Sequence, residues 1–238
     1  MSNTYFQFKQ FIIHQDQCVM KVCTDACILG AWFAAKVPTY ATILDIGSGT
    51  GLLMMMMAQK TNAEILGIEI DLPSFKQLKE NISQSNWKER CKVLPGDART
   101  QVFPHKFDFI ICNPPFFEND LASDKEPEQV AKHSKFLTLE ELVKTIDANL
   151  QLPGAFGVLL PFHRWEYFNE LAIRQGFSLT EKLFIKQTSA HSPFRAILHY
   201  SRSKENFSPE FELIIHRQDG KYTAEFIELM KDYYLKLQ

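Results

Sequence analysis

The chain has 238 residues, 45% hydrophobic and 23% charged, with a net charge of −2 and a pI near 6.4. That length holds one large domain with a full core, and the balance excludes a polybasic nucleic-acid coat, because non-specific phosphate binding needs clustered Lys and Arg. Any nucleic-acid partner has to be held by local charge, shape and a base pocket.

The first residues, MSNTYFQFKQFIIHQDQ, lack a basic region followed by a long apolar core, so no secretory leader is expected. FQFKQFIIHQDQCVMKV predicts a hairpin turning around Gln15 to Gln17, and TDACILGAWFAAK predicts a helix opened by Thr24 or Asp25 as cap. The five cysteines, Cys18, Cys23, Cys27, Cys91 and Cys112, form no CxxC pair. They fit small reduced core residues better than a disulfide framework or a structural metal site, so no metal is expected.

From ATILDIG (41–47) onward, strand-like runs alternate with helical patterns. The strand runs are AEILGIEI (63–70), CKVLPG (91–96), FDFIIC (107–112) and GAFGVLLP (154–161). Between them GLLMMMMAQK, LPSFKQLKENISQ and TLEELVKTIDANLQ carry apolar residues at three-to-four spacing. Such alternation predicts an α/β fold, a doubly wound, mostly parallel sheet with helices on both faces. LLMMMMA (52–58) is far too short to span a bilayer and reads as a buried helix behind the preceding loop. A cytoplasmic protein with no membrane partner is expected. FENDLASDKEPEQVAKHSK (117–135) reads either as a solvated charged loop or as a flap over a site. FSLTEKLFIKQ, FRAILHYSRS and FELIIHR read as further strands, and TAEFIELMKDYYLKL as a closing helix.

ILDIGSGTGLL places Gly47, Gly49 and Gly51 between a buried strand and a helix, where glycine lets a ligand approach the backbone and the first helical amides face it. A dinucleotide loop, GxGxxG, needs a third glycine where Leu52 stands, and a P-loop needs Gly-Lys-Ser/Thr. Glu69 ends the second strand and suits the two hydroxyls of a ribose. Asp97 follows the third and suits an adenine amino group. Asp45, ahead of the glycines, suits an ammonium and would repel a pyrophosphate.

With these residues the chain resembles the class I S-adenosylmethionine-dependent methyltransferases, over roughly residues 24–202, on Asp45-Ile46-Gly47-Ser48-Gly49-Thr50-Gly51, Glu69, Asp97 and Asn113-Pro114-Pro115-Phe116. The resemblance implies S-adenosylmethionine as cofactor, a Rossmann-like seven-stranded sheet whose last strand is antiparallel, Glu69 on the cofactor ribose, and Asp97 with Ala98 on its adenine. It organises the chain as one methyltransferase domain: an N-terminal hairpin and helix extension (1–40), a catalytic core (41–203), and a C-terminal strand and helix (204–238). Residues 113–116 then become catalytic. The Asn113 side-chain oxygen and the Pro114 carbonyl accept from a planar amino group, Pro115 stiffens the turn, and Phe116 stacks on the base.

The acceptors known for this motif are adenine or cytosine in nucleic acid, the guanine amine of ribosomal RNA, and glutamine in release factors. MKVCTDACILGAW (20–32), NPPFF and AKHS (131–134) together look like the bacterial transfer RNA adenine-N6-methyltransferases, which modify the adenine beside the anticodon of a valine transfer RNA. Cys23 and Ala26 stand where that pattern often has glycine. The likeness implies a transfer RNA partner; a monomer is expected, although no residue pattern sets the oligomeric state. Lys21 and Thr24 would lie near the cofactor with Asp45, Gly47, Ser48, Gly49, Gly51, Glu69, Asp97, Ala98 and Asn113. Lys132, His133, Lys186 and Arg195 would meet phosphates, and Phe116 the base. A nicotinamide-dependent oxidoreductase is opposed by Leu52 and leaves the Asn-Pro-Pro turn unused.

Overall fold

A computed structural model describes residues 3–18, 20–115, 137–203 and 208–237. The chain opens with a small hairpin, β1 (Tyr5–Gln7) and β2 (Ile12–His14), and helix α1 (Thr24–Ala34). Then follow β3 (Thr42–Ile46), α2 (Leu52–Lys60), β4 (Glu64–Glu69), α3 (Leu72–Ser83), β5 (Cys91–Pro95) and β6 (Phe107–Cys112). The second half holds α4 (Leu139–Asn149), β7 (Leu150–Pro161), α5 (Trp165–Arg174), β8 (Ser178–Lys186), β9 (Arg195–Ser201), β10 (Glu210–Ile214) and α6 (Ala224–Met230).

Strands β3 to β10 form one sheet in the order β10-β8-β9-β7-β6-β3-β4-β5. Its pairs are parallel except those of β9, which runs antiparallel to both β7 and β8. The expected doubly wound sheet is therefore present, but with eight strands rather than seven. The addition is β10, which covers the otherwise open edge of β8 in parallel register, Glu210 opposite Lys182 through Ile214 opposite Lys186. Two ion pairs along that seam, Lys182–Glu210 at 2.9 Å and Lys186–Glu212 at 2.5 Å, fix the register.

Period-two alternation divides the core. Ile43, Ile65, Phe109 and Ile111 point to a layer made by the N-terminal hairpin, α1, α2 and the C-terminal segment, while Leu44, Ile46, Ile110 and Cys112 point to the layer of α4 and α5. The methionine run lies in the first layer, with Met54 to Met57 each 0% exposed. Its role is core packing, as the sequence suggests.

Two N-terminal expectations are corrected. The hairpin turns at residues 8–11, not at Gln15 to Gln17: Phe8 N–H donates to the Phe11 carbonyl at 2.9 Å, and the two rings stack 4.5 Å apart as they enter the core. The N-cap of α1 is Cys23, without a side-chain cap, and Thr24 and Asp25 are already helical. Asp25 is drawn sideways instead, to Arg195 at 2.7 Å.

Residues 14–22 are fastened across the sheet edge by buried amides that pattern alone does not announce. Asn81, on α3, accepts from His14 N–H at 3.0 Å and donates to the carbonyls of His14 at 2.8 Å and Thr50 at 2.9 Å. Gln77, one turn earlier, accepts from Gln17 N–H at 3.2 Å, and Gln15 accepts from Val22 N–H at 2.8 Å. Replacing Asn81 by Ala leaves one buried donor and two carbonyls to find other partners, so a loss of about 2–4 kcal/mol is expected in urea denaturation.

Candidate active site

Parallel register brings the strand ends to one line. Asp45 of β3 stands opposite Gly67 of β4 and Ile111 of β6, and Glu69 of β4 opposite Pro95 of β5. Asp45, Glu69 and Asn113 have the same strand parity as Ile43, Ile65 and Phe109. All three therefore stand on the face that carries α1 and α2, at the carboxyl edge where open α/β sheets bind ligands.

The loop from β3 to α2 is shaped by backbone that other residues adopt at a cost. Gly47 and Gly49 have φ of 71° and 55°, and a Cβ added to either would meet nothing within 4 Å. Those positions face open space, the place a ligand's backbone contacts would fill. Gly51 differs: its added Cβ would lie 2.8 Å from Leu78, so it serves the packing of α2 on α3.

Glu69 ties this loop to the next strand. Its two carboxylate oxygens accept from Gly49 N–H and Asp71 N–H, each at 2.8 Å. Burial raises its pKa, and those two N–H groups pull against the rise. Each oxygen keeps a further lone pair for a hydroxyl.

Asp45 is 0% exposed, and neither carboxylate oxygen has a hydrogen-bond partner among the described residues. The Ser48 hydroxyl beside it donates to the Asp45 backbone carbonyl at 2.9 Å instead. Burial pushes the Asp45 carboxyl up to about 7, with the Ser48 hydroxyl pulling against the rise and Glu69 adding to it. Asn113 repeats the pattern: its side-chain oxygen is buried without a partner among the described residues. A buried carboxyl and a buried acceptor without partners among the described residues, on one edge, suit donors supplied by a ligand.

A cavity of about 60 Å³ opens there, walled by Met20 to Cys23, Gly47 to Thr50, Leu53 and Asn113. Lys21 lines it while its ammonium donates to the Asn3 carbonyl at 3.3 Å, and Thr24 begins α1 directly behind Cys23. A larger cleft of about 330 Å³, between the hairpin and α3, is lined by Phe8, Phe11, His14 and Asn81 and contains none of these groups.

Asp97 stands past the end of β5, its carboxylate held well below the usual range by the Arg99 side chain. Ala98 beside it is buried against Leu44, Ile46 and Ile68. Pro114 is buried and Pro115 half-buried. Arg195 and Lys186 lie further along the same edge, at the start of β9 and the end of β8, bound to Asp25 and Glu212. Phe116, Lys132, His133 and the loop 117–135 lie outside the described residues.

Residues 28–140 match the model of the Methyltransferase small domain. A tRNA1(Val) (adenine(37)-N6)-methyltransferase of Dyadobacter fermentans is 42% identical over 98% of this chain and 98% of its own. One of the same description from Cytophaga hutchinsonii is 35% identical over the whole of both chains. Among solved structures, a predicted O-methyltransferase from Agrobacterium tumefaciens superposes with a TM-score of 0.65 at 16% identity, covering 88% of this chain and 96% of that one, a likeness of fold.

The raised pKa of Asp45 couples stability to pH. Between the unfolded value near 4 and the folded value of about 7, the native state binds more protons than the unfolded one, so this group's contribution to stability falls as pH rises through that window. Without ligand, Asp45→Asn should gain on the wild type from pH 5 to pH 8 by about 2–3 kcal/mol. Urea midpoints at both pH values measure this; a constant difference would mean that Asp45 ionises as an ordinary surface carboxyl.

Proposed function

The chain belongs to the tRNA1(Val) (adenine(37)-N6)-methyltransferases, and from that membership we propose that it transfers a methyl group from S-adenosylmethionine to N6 of the adenine beside the anticodon of valine transfer RNA. The observation that carries the chemistry is a pair of buried groups without partners among the described residues, Asp45 and the Asn113 side-chain oxygen, at one strand edge.

The bound cofactor supplies a methyl group activated by a positively charged sulfur. The residues present suit it. Asp45 would hold its ammonium, and a cation beside this carboxyl would favour the ionised form, the proton passing to solvent. Gly47, Ser48 and Gly49 border the space it occupies, with Gly51 setting the helix behind them and Lys21 and Thr24 closing the side nearest the N-terminus. The remaining lone pairs of Glu69 receive the ribose hydroxyls. Asp97 and the Ala98 backbone receive the adenine.

The target nitrogen is a poor nucleophile, because its lone pair is delocalised into the base. Asn113 and the Pro114 carbonyl accept its two N–H bonds, which favours a pyramidal nitrogen and stabilises the positive charge that develops on it. Pro115 fixes the turn that carries these acceptors. Phe116 supplies the stacking surface for the splayed-out base. The proton then leaves to solvent, since a methylated aminium is strongly acidic, and no strong general base is needed.

Lys186 and Arg195 stand on the substrate side of this edge, with Lys132 and His133 contributed by the charged loop. Each of the first two already has a carboxylate partner, so an RNA phosphate must share or displace it.

Labelled methyl transfer to unmodified bulk transfer RNA and to ribosomal RNA, followed by nucleoside analysis, tests the reading. N6-methyladenosine in transfer RNA is expected; methylguanosine in ribosomal RNA, or transfer to protein glutamine alone, would overturn it. Asn113→Ala should lower transfer by at least about a hundredfold while leaving cofactor binding largely intact, and equal losses of both would assign Asn113 to the fold.

A further inference from the structure

Among the described residues, Arg99 is the cation that grips a carboxylate assigned to the cofactor. Its backbone N–H donates to Asp97 Oδ1 at 2.9 Å, its Nε lies 3.0 Å from both Oδ1 and Oδ2, and its Nη2 donates to Oδ2 at 2.6 Å. A carboxylate has about four acceptor positions. Three N–H groups of one residue occupy most of them, so Asp97 cannot rotate and keeps about one position for an outside donor.

The grip is itself anchored. Arg99 Nη1 donates to Glu141 Oε1 at 3.1 Å, while Glu141 Oε2 accepts from Thr138 N–H at 2.8 Å in the capping box that opens α4. The two oxygens of Glu141 thus divide between a helix cap and the guanidinium, and both carboxylates of the chain are held in the charged form by these contacts. Asp97 and Arg99 are 27% and 23% exposed, sheltered enough for the fork to persist and open enough to meet a ligand.

We propose that Arg99 is a positioning residue that, through its fork on Asp97 and its anchor on Glu141, aims a single acceptor at the 6-amino group of the cofactor's adenine. The proposal rests on the adenine assignment of Asp97 made above. Its consequence is base selectivity: a fixed acceptor favours a 6-amino group and opposes a 6-oxo group, whereas a freely turning carboxylate discriminates less.

The test is calorimetric binding of S-adenosylhomocysteine and S-inosylhomocysteine, which differ in the 6-substituent and in the hydrogen that N1 carries in the 6-oxo form. Arg99→Ala should weaken the adenosyl ligand by about tenfold and the inosyl ligand by less than about threefold, with Arg99→Lys restoring part of the difference. A general structural defect would weaken both equally, and unchanged or tighter adenosyl binding would mean that Arg99 merely competes for Asp97; either overturns the proposal. Should Arg99→Ala not fold, Glu141→Gln, which removes only the outer anchor, must shift the same preference by about threefold in the same direction. Asp97→Ala separates the two layers: an intact preference in that variant refutes the adenine assignment, whereas loss there but not in the Arg99 variants refutes the positioning role alone.

Discussion

Burying an ionised carboxylate without partners costs several kcal/mol or more, and the carboxyl edge of this sheet is organised around that cost at Asp45. The strand pairing leaves no freedom to avoid it, because Asp45 sits in the middle of the sheet, with neighbours on β4 and β6. Burial resolves the conflict by favouring proton uptake at this residue. Neighbouring acids are handled in other ways. Glu69 is offset by two backbone N–H groups, and Asp97 by a guanidinium. Three carboxyl groups along one edge are thereby handled in three ways: proton uptake favoured by burial at the strand centre, backbone hydrogen bonds at the loop, and an ion pair at the rim. That gradient matches a ligand that is cationic at one end and uncharged at the other.

The other half of the edge follows a different logic. Beyond Asn113, toward β9 and β8, Arg195 and Lys186 carry the opposite charge, yet each is held by a carboxylate at 2.7 Å and 2.5 Å. Side chains tied down in this way have less rotamer entropy left to lose when a phosphate approaches. A chain with net charge −2 cannot hold RNA by bulk attraction. Arrangement of a few cations has to replace their number.

Sequence made the central fold legible because its signals are local: a strand, a glycine turn and a helix are adjacent in the chain, and the acid at each strand end follows a run of apolar residues. The same locality explains what escaped. The position of the first hairpin turn is decided by Phe8 and Phe11 stacking as they enter a core built by distant segments, including a bridge from Phe8 to Tyr234. Asp25 reads as a helix cap until its partner, 170 residues away, is known. Arg99 was visible in PGDAR only as a neighbour of Asp97, since nothing local reveals that Glu141 closes the other side. Gln77 and Asn81 carried a signal, two amides one helical turn apart among apolar neighbours, but the backbone groups they satisfy belong to residues 14–17 and 50.

Those amides give the N-terminal segment its part in the site. Residues 20–23 wall the cavity beside Asn113, but they have no strand of their own to hold them there. They are suspended from Gln15, whose side chain accepts from Val22 N–H, and the preceding turn hangs on Asn81, which also holds the Thr50 carbonyl of the glycine loop. A displacement of α3 therefore moves the cofactor loop and the cavity wall together. From the other side, Lys9 N–H donates to the Tyr233 carbonyl and the Tyr233 hydroxyl to the Met56 carbonyl of α2, so the two ends of the described chain brace the helix behind the loop. Precision at the methyl-accepting edge is in this way a property of long-range packing, because a misplacement of about 1 Å at a reacting centre is enough to cost orders of magnitude in rate.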